Sequence, residues 1–323
     1  MKHFDVFNGD ADGLCALRQL RLASPRESVL VTGVKRDIAL LRRLLGVPVA
    51  SATVLDISLD ANRDALLELL GHGVAVDYFD HHYAGEIPRH AALHAHIDTA
   101  AEVCTSTLVD RHLGGYYRVW AVVGAYGDNL ADTAHKLAAS IALEVDQELA
   151  LRDLGECLNY NAYGDSEADL LVHPATLFAH LQQHEDPFDF MVREPLYLRI
   201  RGQRQRDMAQ ARAVAPHVAL PCGQVLVLPD QAWSRRVRGS LGNELAREHP
   251  QLAHAVLTPD AQGGYVVSVR APLATRRDAE RLCLRFETGG GRAAAAGINH
   301  LPQHRLEAFL QAFEQVFALH VLR

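Results

Sequence analysis

Through the first 80 residues, short apolar runs alternate with longer amphipathic stretches, and acidic residues stand at or just past the ends of three of the four runs. Residues 4–7 read as a strand, broken by Asn8-Gly9-Asp10-Ala11-Asp12-Gly13 and followed by a helix over 14–22. Residues 29–34 read as a second strand and 38–45 as a helix. The third strand is 53–57, and Asp60 is placed to cap a helix running to residue 70. The fourth, 74–79, ends at Asp80-His81-His82. This alternation predicts an open, doubly wound parallel sheet that binds its ligands at the carboxyl ends of the strands. From 102 to 163 the pattern is helical.

The alternation breaks and then resumes. Pro187 and Pro195 flank a stretch that reads as irregular, and 199–214 reads as a charged helix bridging two lobes. Strands are expected at 225–228, 254–257 and 265–271, with helices at 239–248, 276–286 and 305–319. The alanines of 293–296 read as a helix start after a glycine loop. The fold class is therefore α/β: a doubly wound N-terminal domain (1–185), a helical linker region (186–215) and a smaller α/β C-terminal domain (216–323). A length of 323 residues, about twice a ~150-residue domain, agrees with that division.

Charge divides the chain in the same place. Residues 1–189 hold 14 basic and 28 acidic residues, whereas 190–323 hold 18 basic, all arginine, and 11 acidic. A carboxylate-rich half suits metal, and an arginine-rich half suits phosphate, which guanidinium grips with two bonds at once. Five scattered cysteines with no CxxC pair argue against a disulfide framework or a zinc knuckle and fit a reducing cytoplasm. The longest apolar runs, such as 119–126, fall short of the ~20 residues of a membrane span. Aspartates interrupt the N-terminus before a signal peptide's apolar region could form, so a cytoplasmic location is expected.

Four segments carry the candidate chemistry. Asp10 and Asp12 stand two apart in a loop, where both carboxylates are able to project toward one point. Asp56 ends the third strand, Asp80-His81-His82 the fourth, and Asp128 closes the apolar run at 119–126. Taken alone, a DxDG loop is usually a turn or a helix cap, and DHH is usually a surface loop. Several acids and histidines in chain order, converging on one sheet edge, instead suit Mn²⁺ or Mg²⁺, which favour carboxylate oxygens.

These segments, FNGDADG, VLDIS, YFDHH and YGDN, resemble the four ordered motifs of the DHH phosphoesterases. VSVRA (267–271) and GGGRAAAAG (289–297) resemble that family's associated substrate-binding domain. The resemblance implies a centre of two divalent ions, with Mn²⁺ expected and Mg²⁺ the alternative. In that scheme Asp10 binds one ion, Asp12 the other, and Asp56 bridges them, while His81 and Asp128 complete the second ion's ligands. Asp80 orients the histidines and His82 contacts the scissile phosphate. Many members carry a histidine four residues before the first motif aspartate. Here that position is Val6, which leaves the first ion a thinner protein shell, and Asn8 stands nearer. Asn8, Arg235, Arg270, Gly289, Gly290, Gly291 and Arg292 are the expected substrate contacts. Many members read GGGH where this chain reads GGGR. Trp233 reads as core, with base stacking as the alternative.

The implied activity is metal-dependent hydrolysis of very short RNA, down to dinucleotides such as pGpG, to mononucleotides. Water activated by the paired ions would attack phosphorus in line. Brevity of substrate is read from the absence of an added OB-like module or an extended basic tract. Alternatives are a 3′-phosphoadenosine nucleotide phosphatase, a cyclic-dinucleotide phosphodiesterase or a longer single-strand exonuclease. From a different class comes a nucleotide-binding regulator without catalysis, which an intact ligand set disfavours. No GxxxxGK[ST] or GxSxG supports a P-loop or serine-hydrolase mechanism. The expected partner is a short RNA or dinucleotide and not a membrane. A homodimer is compatible with a sequence that does not set oligomeric state.

Overall fold

A computed structural model describes residues 1–321 and divides the chain into two compact units, Met1–Gly202 and Gln203–Arg323. In the first unit, β1 (Lys2–Phe7), β2 (Val29–Val31), β3 (Val49–Leu55), β4 (Ala75–Asp80) and β5 (Leu93–Ile97) form one sheet. Its order is β2-β1-β3-β4-β5, and every pair is parallel, as the alternation predicts. Strand β5 is the one the pattern hides. Its sequence LHAHI lies at the sheet edge with no fully buried residue, so it lacks the apolar run of a central parallel strand.

Helices α1 (Ala11–Ala23), α2 (Arg63–Gly71), α3 (Thr105–His112), α4 (Arg118–Gly127), α5 (Ala131–Ser140), α6 (Val145–Ala162) and α7 (Pro174–Leu181) complete most of the unit. The helix expected at 38–45 is only a 3₁₀ segment, Leu40–Leu44. Asp60 opens a 3₁₀ turn and does not cap α2 with its side chain. One core gathers Val6, Val54, Val76 and Tyr78 with Leu40, Leu66 and Leu69. Helix α1 is buried along most of its length, packed by α3, α4 and α6. That burial fixes the loop before it, where the first motif lies.

The stretch read as irregular between Pro187 and Pro195 is helical. It forms α8 (Pro187–Arg193), and α9 (Pro195–Arg212) carries the chain from one unit into the next. Both prolines open their helices, where the missing N–H has no intrahelical acceptor to lose.

The second unit holds β6 (Val218–Leu220), β7 (Gly223–Val227), β8 (Ala253–Pro259), β9 (Gly264–Arg270), β10 (Gly289–Gly291) and β11 (Ala295–Pro302). They form a mixed sheet in the order β10-β11-β9-β8-β7-β6, with β7–β8 the parallel pair. Helices α10 (Ala232–Glu248), α11 (Ala279–Cys283) and α12 (Leu306–Val321) accompany it. Val225, Leu257, Val267 and Val269 pack with Leu282, Phe309, Phe313 and Phe317. The helix expected at 293–296 does not form, because Ala295 and Ala296 pair with Arg270 and Val269 in the sheet. Four alanines between Gly291 and Gly297 are too few to nucleate a helix against that pairing. The helix expected at 276–286 shrinks to α11. No helix among the described residues is long and apolar enough to cross a membrane.

Candidate metal centre

The first turn of α1 packs Gly13 against the end of the preceding loop, where a Cβ would stand 2.2 Å from the Asn8 carbonyl oxygen. Only glycine permits that approach. Asp10 is the N-cap of α1: its Oδ1 accepts from the backbone N–H groups of Asp12 at 3.0 Å and Gly13 at 3.1 Å. Its other oxygen, Oδ2, accepts from Lys35 Nζ at 2.5 Å. Burial alone would raise the Asp10 carboxyl, but the Lys35 charge and hydrogen bond outweigh it and hold the group below its ordinary value.

Asp12 lies in the first turn of α1 and is clamped by the start of α3. Thr105 N–H donates to Oδ2 and Ser106 N–H to Oδ1, each at 2.7 Å. A carboxylate at a helix N-terminus meets both orphan donors and the positive end of the dipole. Asp56 follows β3 with φ at 59°, the left-handed region that aspartate tolerates better than most residues. Its Oδ1 accepts from Thr105 Oγ1 at 3.1 Å. Asp128 ends α4 as its C-cap.

His81 stands among three of these acids. Its Nε2 lies 3.5 Å from Asp56 Oδ1, 3.7 Å from Asp128 Oδ2 and 4.0 Å from Asp12 Oδ2. These spacings are too long for good hydrogen bonds and suit a cation at their centre. Two ligand groups emerge, Asp12-His81-Asp128 and Asp56-His81-His82, and both include His81. Burial, then the charges of Asp12, Asp10 and Asp128, push the Asp56 carboxyl well above its ordinary value. Burial also raises Asp128, with Lys35 opposing and Asp12 adding to the rise. Buried carboxylates facing one another without enough positive charge are what a divalent cation relieves. Each of the two groups fits an ion, and the Asp12-His81-Asp128 group, with two carboxylates to one imidazole, is the one whose oxygen-rich donor set suits Mn²⁺ or Mg²⁺.

The other half of the expected two-ion arrangement differs. Asp10 belongs to neither ligand group, and its outer oxygen is held by Lys35. Val6, where many DHH phosphoesterases place a histidine, is fully buried and offers no donor. Asp80 bonds His82 Nδ1 at 2.7 Å but does not reach His81, whose Nδ1 is buried with no hydrogen-bond partner. Asn8, expected to meet substrate, is buried and used internally: Oδ1 accepts from Asp10 N–H at 3.3 Å and Nδ2 donates to the Lys35 carbonyl at 3.1 Å.

The expected arginine contacts are engaged within the second unit. Arg235 pairs with Asp230 at 2.6 Å, and Arg270 donates to Asn243 Oδ1 at 2.6 Å and Ser268 Oγ at 2.9 Å. Gly289, Gly290 and Gly291 are an edge strand, so no helix N-terminus follows them. Arg292 is exposed at the turn into β11, its backbone N–H donating to the Ala295 carbonyl at 2.8 Å. Trp233 is half-buried.

Sequence reasoning passed over Lys35, Thr105, Ser106 and Asn159. The backbone donors of 105 and 106 leave no sequence signal. Lys35 left one: only three of the chain's 32 basic residues are lysines, and this one follows the second apolar run.

A parallel sheet with acids and histidines past its strand ends, followed by a unit built on a mixed sheet, is the DHH-domain architecture, and solved structures bear this out. No family model matches the chain, and no curated protein does. A DHH-domain protein described as a member of a family of ribosomal proteins superposes with a TM-score of 0.68 at 13% identity, over 97% of this chain and 86% of that one. The exonuclease RecJ bound to manganese gives 0.61 at 18% identity, over 99% and 90%. The pGpG-specific phosphodiesterase PggH from Vibrio cholerae gives 0.55 at 12% identity, over 98% and 99%. The chain has the two-domain DHH fold.

Proposed function

We propose that the protein is a metal-dependent phosphodiesterase that hydrolyses very short RNA, dinucleotides such as pGpG included, to mononucleotides. The observation that carries this reading is the gathering of Asp12, Asp56 and Asp128 around His81, whose Nε2 lies between 3.5 and 4.0 Å from each of the three carboxylates. A divalent ion bound there supplies Lewis-acid polarisation of a phosphoryl oxygen and lowers the pKa of a bound water. The chain's own residues set the geometry: α3 fixes Asp12, and Thr105 together with a left-handed backbone fixes Asp56. His82, whose side chain is 37% exposed against 3% for His81, meets the phosphate and steadies the charge that grows there, with Asp80 holding its Nδ1. In the second unit, exposed Arg292 offers its guanidinium to phosphate.

Support for the substrate class comes from the motif resemblance and from a shared fold with a manganese-bound exonuclease and a pGpG-specific phosphodiesterase. The test is purified protein with Mn²⁺ against an RNA ladder, pGpG, a cyclic dinucleotide and 3′-phosphoadenosine 5′-phosphate. Rapid turnover of pGpG and the shortest oligomers is expected. Degradation of long strands with pGpG left intact would replace this reading with the longer exonuclease.

A further inference from the structure

The ammonium of Lys35 is held as an ion would be. Its Nζ lies 2.5 Å from Asp10 Oδ2, 3.1 Å from Asn159 Oδ1 and 3.6 Å from Asp128 Oδ1. These three oxygens come from the loop after β1, from α6 and from the end of α4. The residue is also pinned through its backbone: its N–H donates to the Ala162 carbonyl at 2.9 Å, and its carbonyl accepts from Asn8 at 3.1 Å. The Tyr163 ring lies 5.8 Å from the ammonium, a further contact that favours positive charge. This is an anchored cation and not a surface lysine in passing contact.

The place it fills is the one the sequence resemblance gives to the first divalent ion, beside Asp10. An oxygen-only cluster is what hard divalent ions choose, at bond lengths of about 2.0–2.6 Å. An ion on Asp10 Oδ2 and an ammonium 2.5 Å from that same oxygen are like charges competing for one position. The remaining Asp10 oxygen already caps α1, and buried Val6 adds no donor. The sequence thus lacks an imidazole for that ion and provides a permanent positive charge in its stead.

We propose that Lys35 stands in for one of the two divalent ions. The centre then takes up a single exchangeable cation, because the two groups Asp12-His81-Asp128 and Asp56-His81-His82 share His81, beside a built-in ammonium at Asp10. The proposal rests on the metal-dependent reading above and deepens it. The charge at Asp10 is single, not double, and a chelator does not remove it.

Counting bound Mn²⁺ on the full-length chain tests this, by calorimetric titration and by electron paramagnetic resonance. The wild type is expected to bind one ion and to show the hyperfine-resolved spectrum of an isolated Mn²⁺. Lys35→Ala frees the oxygens of Asp10, Asn159 and Asp128 and is expected to bind a second ion, with the broadened spectrum of two coupled neighbours. Lys35→Met, neutral but close in length, is expected to do the same, with circular dichroism as the folding control. Two ions on the wild type overturn the proposal and leave metal dependence standing. No bound ion overturns both. Folded Lys35 variants that stay at one ion show that the lysine does not exclude the second, and they too overturn the proposal.

Discussion

Two buried acidic clusters lie on the first strand and just past its end, and they behave as opposites. Asp5, on β1, is closed off. Arg21 donates to both its oxygens, Ser28 donates at 2.6 Å and His3 Nε2 lies at 3.1 Å. Burial alone would raise its carboxyl, yet the hydrogen bonds from Arg21 and His3 outweigh it and hold the group below its ordinary value. Past the end of the same strand, Asp12, Asp56 and Asp128 face one another, and Asp56 is pushed well above its ordinary value. Burial is common to both clusters. What separates a stabilising carboxylate from a ligand in waiting is whether the fold brings its own countercharge, and Asp10 with Lys35 stands between the two cases.

The largest effect expected from this contrast is on turnover. Asp56→Asn keeps a residue that tolerates the left-handed backbone but removes a charge from the proposed ion site, and Asp12→Asn removes one beside α3. Each should lower Mn²⁺-dependent turnover about a thousandfold or more. Melting of the chelated protein should hold steady or rise for Asp56→Asn, because a repelling charge is gone. Near-wild-type turnover by either variant in metal-replete buffer would erase the contrast.

Next in size is the closed cluster. Asp5→Ala leaves Arg21 buried without its partner and should cost about 3–5 kcal/mol of stability, the usual penalty for breaking a buried pair. The molecules that remain folded should bind Mn²⁺ as the wild type does. Denaturant unfolding with a metal titration at low denaturant reads both, and weakened ion binding without lost stability would contradict the assignment.

The pH dependence of that pair sharpens the comparison further. A carboxyl whose folded pKa is depressed adds stability that is present above its unfolded value, here 3.8, and is lost as pH falls through the lower folded value. The stability gap between wild type and Asp5→Asn should therefore stay level from neutrality down to about pH 4 and close only in stronger acid. A gap that closes near neutrality would mean another group supplies it.

The smallest effect concerns the second unit, where Arg236 is as closed as Asp5, donating to Asp207 at 2.7 and 3.0 Å. Exposed Arg292 is the contrasting case. Arg292→Ala should lower kcat/KM about tenfold for 5′-phosphorylated dinucleotides, the loss of one charge-assisted contact. It should spare a small aryl phosphodiester and leave Tm unchanged. Parallel losses on both substrates would assign Arg292 to structure.

The strand ends were the legible part of the molecule. Asp12, Asp56 and His81 follow or end the apolar runs of buried parallel strands, which announce themselves by composition, whereas Asp128 follows the apolar run of helix α4. Edge strand β5 did not, since its LHAHI is half polar, and neither did β10 and β11, where sheet pairing overrode the helical propensity of alanine. The arginines of the second unit were visible as charge, but which of them the fold would neutralise depended on long-range partners such as Asp207 and Asn243. Lys35 showed only as a rare lysine after an apolar run, and its role stayed hidden because its partner Asn159 lies 124 positions away.

The clamp on Asp12 has a consequence for how this site drifts through mutation. Its two donors are main-chain N–H groups, so replacing the side chain of Thr105 or Ser106 cannot remove them, and proline alone deletes the donor outright. Neighbouring positions are thereby free to vary without loosening this carboxylate. Asp10 has no such insurance at its outer oxygen, because Lys35 reaches it through a side chain that one codon change abolishes. The two aspartates of one short motif are therefore exposed unequally to genetic change, and the Lys35 end is where related chains should diverge first.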